Sequence, residues 1–181
     1  MVAGTPTGLV LALLAEFASD MRTPRTINQL SLSSGKAYAN THAVATQLLK
    51  EQILVKETVG HSHQCRLNLQ NDKTLLYLSL LETVKRDRLL RESPETRLLL
   101  AKVDAHSAKF GILLAWKREN GILIVTTTVQ QEAKATFGES TTVLPLAAFL
   151  SDHHLRATIC GNGTLLFGHA LYASLLREVA R

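Results

Sequence analysis

Three potential metal ligands stand at alternate positions in the segment His61-Ser62-His63-Gln64-Cys65. Alternate side chains of an extended strand share a face. Two imidazoles and a thiolate could therefore approach one soft cation. A closed site needs a fourth ligand, which Cys160 or the pair His153-His154 would have to bring from far along the chain. A polar loop leading into a buried cysteine accounts for the same residues, and no metal or other cofactor is expected. His153-His154 follows Asp152, which invites an acid–base reading. No Ser, Cys or carboxylate is spaced to complete a nucleophilic set, and histidine is favourable at a helix C-terminus. Gly161-Asn162-Gly163 lacks the Lys and Ser/Thr that follow in a phosphate-binding loop. The chain is not expected to be an enzyme.

A second constellation fits recognition rather than catalysis. Ser34, Lys36, Tyr38, Asn40 and His42 cluster at the start of a helical stretch, with Ala39 and Ala43 between them. Asn can pair in a bidentate way with adenine, Lys can take guanine or phosphate, and Ala can touch a thymine methyl. Ser33 and Ser34 could cap the helix or hold a phosphate at its N-terminus. Arg22 and Arg25 precede this stretch, and Lys56, His61, His63 and Arg66 follow it as candidates for backbone or minor-groove contact.

The elements that must position these residues are legible in the pattern. Gly8 to Ser19 reads as a helix with Leu9, Leu13 and Phe17 at spacing four. Thr23 to Thr26 reads as a turn, and Thr26 or Asn28 as the cap of a short helix offering Ile27, Leu30 and Leu32 to a core. Lys36 to Glu51 follows as a longer helix, with Tyr38, Thr41, Ala45 and Leu48 on one stripe. Ile53 to Thr58 and Cys65 to Leu69 then read as two strands of a hairpin.

Residues 71–92 read as a helix of about six turns, with Leu75, Leu78, Leu81 or Glu82, and Leu89 on one stripe. Ser93-Pro94 marks a break and the start of a further helix. Gly111 to Trp116 and Gly121 to Thr128 are apolar strands around Asn120-Gly121, a hairpin signal. A strand end, a helix from about Pro145, a strand near Gly163 and a closing helix complete the chain. Strands mixed with helices point to an α+β protein ending in a small α/β domain.

Composition narrows the classes. The 181 residues are 46% hydrophobic, too apolar for disorder, and two cysteines cannot build a disulfide framework. No apolar run is long enough to span a bilayer, and the first twenty residues lack a basic segment and carry Glu16 and Asp20, unlike a signal peptide. A cytoplasmic protein is expected. The net charge of +5 permits a polyanionic partner without demanding one.

The order helix, helix, helix, hairpin, and the segment INQLSLSSGKAYANTHAVATQLLKEQILVKE, resemble the prokaryotic, especially archaeal, winged helix-turn-helix transcription regulators. The resemblance implies that Lys36 to Glu51 is a recognition helix and that the hairpin is a wing. The family usually has Gly where this chain has Gln52. The C-terminal part is similar to a small nucleotidyltransferase-like domain that follows a winged helix in many archaeal proteins. There a Gly-Ser turn holds triphosphate and an Asp-x-Asp strand holds Mg²⁺. Here Lys109-Phe110-Gly111 matches the turn, but Ile112 stands at the Ser position and Gly121 and Leu123 at the carboxylate positions. Apolar side chains cannot ligate Mg²⁺, so the domain is expected to be degenerate.

These observations predict residues 1–70 as a winged helix, 71–106 as connecting or dimerisation helices, and 107–181 as the small α/β domain. The expected partners are double-stranded DNA and a second copy of the chain, with no membrane and with an effector that the residues do not identify. A protein-interaction adaptor is the alternative, and a former nucleotidyltransferase a further one.

Overall fold

The computed structural model describes residues 6–18, 21, 23–59, 62–127, 131–138, 140–151 and 163–179. It is a mixed α+β protein, with eight helices and two sheets among these residues. The chain divides into two compact units, the first running to Leu81 and the second from Glu82 to Val179.

The first unit begins with α1 (Pro6–Ala18). Leu13, Leu14 and Phe17 are fully buried there. Helix α2 (Ile27–Ser34) starts at a capping box: Gln29 N–H donates to Thr26 Oγ1 (3.1 Å), and Thr26 N–H donates to Gln29 Oε1 (2.8 Å). It ends at Gly35 in the left-handed region (φ 63°). Helix α3 (Tyr38–Lys50) packs on α1 and α2 through Thr41, Ala45 and Leu48. Strands β1 (Leu54–Val59) and β2 (Ser62–Leu67) form an antiparallel hairpin with Lys56 opposite Cys65.

Four expectations change here. Helix α3 begins two residues later than predicted, and its N-cap is Ala37, which offers no side-chain cap. Ser33 and Ser34 instead belong to α2, and Ser34 Oγ donates to Leu30 O at 2.6 Å. Tyr38 is 54% exposed rather than part of the buried stripe, because it is the first helical residue and lies beyond the packed turns. Leu32 is 74% exposed, since a helix of eight residues buries one narrow row, here Leu30 and Ser31. The stretch read as a turn also carries a strand-like bridge, in which Arg25 exchanges both backbone hydrogen bonds with Cys65 at 2.8 Å.

Gln52 is the one described non-glycine residue with positive φ (58°). It occupies the left-handed position that ends α3, where glycine carries no Cβ strain. The chain offsets this with two latches: Asn68 Nδ2 and Asn71 Nδ2 donate to Gln52 O at 2.9 and 3.0 Å. Asn71 also accepts from Lys73 N–H at 2.9 Å, which starts α4 (Asp72–Glu92).

The division between the units falls within α4. In the second unit, Ser93 caps α5 (Pro94–Phe110), with Pro94 in its first turn and Gly111 in the left-handed region at its end. A four-stranded sheet follows, built from β3 (Ile112–Arg118), β4 (Gly121–Thr126), β5 (Thr141–Pro145) and β6 (Gly163–Phe167) in the order β5-β4-β3-β6. Only β4 and β5 run parallel. The sheet is covered on both faces. Val103 and Phe110 of α5 and Ala133 of α6 (Gln131–Phe137) pack with Ile112, Ala115, Ile122 and Ile124. On the other face Trp116 stacks on Phe149 of α7 (Leu146–Ser151), with ring centroids 5.6 Å apart. It meets Tyr172 of α8 (His169–Val179) edge-on at 6.3 Å. Double coverage explains the unbroken apolar run of β4. Helix α6 was not foreseen, because QEAKATF carries no apolar periodicity.

Glu82 of α4 is buried, and its carboxylate accepts from Leu165 N–H of β6 (3.0 Å) and from Lys85 Nζ (2.8 Å). Among the described residues no helix is long and apolar enough to cross a membrane.

Candidate nucleic-acid interface

The outward face of α3 is set by its buried row. At about 100° per residue, Ala39, Ala43, Thr46 and Lys50 lie opposite Thr41, Ala45 and Leu48. Asn40 and Gln47 flank them on one side, and Tyr38 and His42 on the other. All eight are exposed. The rings of Tyr38 and His42 are tilted neighbours, with centroids 5.9 Å apart. Asn40 and His42 thus bracket the face rather than converge. The small Ala39 and Ala43 between them let the helix axis come close to a surface.

The turn before α3 is tied down. Ser31 Oγ donates to Lys36 O at 2.7 Å, and Lys36 N–H donates to Ser31 O at 3.2 Å. Lys36 is half-buried and stands just ahead of the helix, with Ser34 at the end of α2. The uncapped first turn of α3 leaves its backbone N–H groups without a side-chain acceptor, a local setting that suits an anion.

The hairpin sorts its polar residues onto two faces. Lys56, His63 and Cys65 share one, since Lys56 pairs with Cys65 and Thr58 with His63. Arg25 joins the same cross-strand row through its bridge to Cys65. Its Nε is buried without a hydrogen-bond partner. Arg66 lies on the opposite face, where its Nε pairs with Glu57 Oε2 at 3.3 Å. Arg25 and Lys56 are therefore together and Arg66 is apart, held by an acidic neighbour that the spacing did not reveal. Burial pushes the Cys65 thiol above its ordinary range, and nearby Lys56 opposes this only in part. The predicted residues Arg22 and His61 lie outside the described residues, as do His153, His154 and Cys160. Among the described residues no group of three His, Cys, Asp or Glu side chains is placed to hold a metal ion.

One electrostatic signal was missed at the level of single residues. Residues 21–50 contain Arg22, Arg25, Lys36 and Lys50 and no Asp or Glu at all. A count over a longer window hides this, because Glu16, Asp20, Glu51 and Glu57 stand just outside the run.

No family model matches the chain, and no curated protein and no solved structure matches it.

In the second unit, the positions compared with a metal site fall on β3 and β4. Ile112 and Leu123 are buried in the sheet. Gly121 has φ 133°, and a Cβ there would collide with the Ser140 carbonyl oxygen. A separate open pocket of about 610 Å³ lies over the edge of this sheet, with Glu95, Lys117, Glu119 and Asn120 around an apolar floor of Leu99 and Phe137.

Proposed function

We propose that the chain is a non-enzymatic, sequence-specific DNA-binding protein of the winged-helix kind, acting as a transcription regulator. Helix α3 enters the major groove, the β1–β2 hairpin is the wing, and the second unit serves association or sensing. The observation that carries this is the carboxylate-free run 21–50, folded so that the outward face of α3 is exposed and brackets Ala39 and Ala43 with Asn40 and His42. A helix reads base edges with the side chains near its N-terminus. Asn40 would take an adenine edge, His42 and Tyr38 the opposite flank, and Ala39 and Ala43 thymine methyls. Arg25, Lys36 and Lys56 would hold phosphates, which position the protein without reading sequence. Arg66 contributes less, being paired with Glu57.

The deciding experiment is capture of genomic DNA fragments by the purified chain at two salt concentrations. Enrichment of one motif, weakening as salt rises, is the expected outcome. Absence of any binding at low salt would overturn the proposal and favour a protein-interaction adaptor built on the same three helices and hairpin.

A further inference from the structure

Helix α4 has two apolar faces, and the fold uses one. Leu75, Leu78 and Leu81 are buried. On the far side Leu76 is 68% exposed, Leu80 42% and Val84 40%. At about 100° per residue these three lie within about 40° of Leu80 around the helix, and Lys73 and Asp87 within about 20°. A lone surface helix carries polar residues on its solvent face. Here that face is a continuous apolar strip with charges only at its ends. Beside it lies an open hollow of about 300 Å³ lined by Glu51, Lys73, Leu76, Tyr77 and Leu80.

We propose that this face of α4 is a homodimer interface, in which α4 packs antiparallel against α4 of a second copy about a two-fold axis at Leu80. The charges at the ends of the strip select both the occupant and the direction. In an antiparallel pair centred on Leu80, facing positions have numbers that sum to 160. Leu80 then meets the partner's Leu80, and Leu76 meets the partner's Val84. Lys73 meets the partner's Asp87, so that the charge at each end of the strip faces its opposite. The hollow beside Lys73 and Leu76 receives the partner's Val84 and Asp87. A parallel pair would set Lys73 on the partner's Lys73 and Asp87 on the partner's Asp87, with repulsion at both ends. Lys73 and Asp87 already have exposed ion pairs within the chain, to Glu51 and Arg86 at 3.2 Å each. Such surface pairs exchange at little cost. The apolar strip provides the affinity and the charges set the register. The interface is self-complementary, as a two-fold contact requires, and it does not depend on DNA binding.

The test uses the full chain. Light scattering and sedimentation on the wild type should show a dimer. Leu80→Lys, at an exposed site, should raise the dimer dissociation constant by about 100-fold or more while leaving the far-ultraviolet circular dichroism unchanged. In a Cys160→Ser background, Leu80→Cys should give a covalent dimer with a short bismaleimide. Leu98→Cys, on the equally bare surface of α5 (Leu98 is 74% exposed), should not. Lys73→Asp should weaken the dimer several-fold, and adding Asp87→Lys should restore it. A monomeric wild type, a dimer that survives Leu80→Lys, or cross-linking through Leu98 alone would overturn the interface. A charge swap that fails to restore association would overturn its antiparallel direction.

Discussion

Glu82 offers the sharpest quantitative test of how the second unit is held. Its side chain is 3% exposed, with one oxygen on the Leu165 N–H and the other on Lys85 Nζ. Truncation to alanine leaves a buried backbone N–H without an acceptor, at about 1–3 kcal/mol. It also removes a buried methylene, at about 0.8 kcal/mol. Lys85 is 31% exposed and can turn to water, so its loss of a partner adds little. The central values sum to about 3 kcal/mol. Glu82→Gln keeps an acceptor in the same place and loses only the charge, which should cost about 1 kcal/mol. Urea unfolding reports the difference directly. Trp116 is the only tryptophan, lies in the core of this unit, and gives its fluorescence as a local signal. With a slope of about 1.5 kcal/mol/M, Glu82→Ala should lower the midpoint by about 2 M and Glu82→Gln by about 0.7 M. A Glu82→Ala midpoint within about 0.3 M of wild type, or equal losses in the two variants, would refute the account of the buried pairing.

Four further outcomes are expected. Gln52→Gly should stabilise the first unit by about 0.5–1 kcal/mol in chemical unfolding, because relief of left-handed strain exceeds the added chain entropy. Asn71→Ala should cost about 2 kcal/mol, since one side chain both caps α4 and latches the end of α3. Asn40→Ala should lower affinity for an enriched site about tenfold or more and leave nonspecific binding and the melting temperature unchanged, whereas Lys36→Ala should reduce the salt dependence of binding by about one unit of slope. His169 sits partly buried beside Arg86, and both effects hold its pKa below the usual histidine value. The folded chain therefore binds fewer protons than the unfolded one between that lowered value and about 6.5. Stability should be greatest above this window and fall as pH is lowered through it, and His169→Gln should flatten the fall in urea midpoints measured at neutral and mildly acidic pH.

The strongest local signals in the sequence are those where one residue type has one structural use. Thr26, one of two candidate caps with Asn28, Ser93 with Pro94, and Asn120 with Gly121 each mark an element boundary by a specific hydrogen bond, ring or dihedral preference, and each does so in the structure. The run GILIVT reads as a strand because its apolar residues serve both faces of a covered sheet. What escaped depends on contacts between distant segments. The bridge from Arg25 to Cys65 involves a single residue in a Thr-Pro-Arg-Thr stretch, too short to show alternation. Tyr38 and Leu32 fit an apolar stripe by type and are turned outward by helix ends that spacing cannot locate to a residue. Glu82 was one of two candidates for a stripe position, and only its distance to the Leu165 N–H shows why a carboxylate is there. In the candidate interface, the outward placement of Asn40 and His42 follows from helix periodicity, while the ion pair that occupies Arg66 depends on strand register.

The division of labour within α3 bears on how such a chain can change over evolutionary time. Its fold rests on Thr41, Ala45 and Leu48, on the turn tied by Ser31 and Lys36, and on the latches at Gln52. Ala39, Asn40, Ala43 and Thr46 are exposed and carry none of that burden. Substitutions at these four positions alter what the helix presents without spending stability, so its surface can change by single steps that each leave a folded protein. The residues that hold the scaffold and those that the helix presents are separate sets, and selection can edit one while the other stands still.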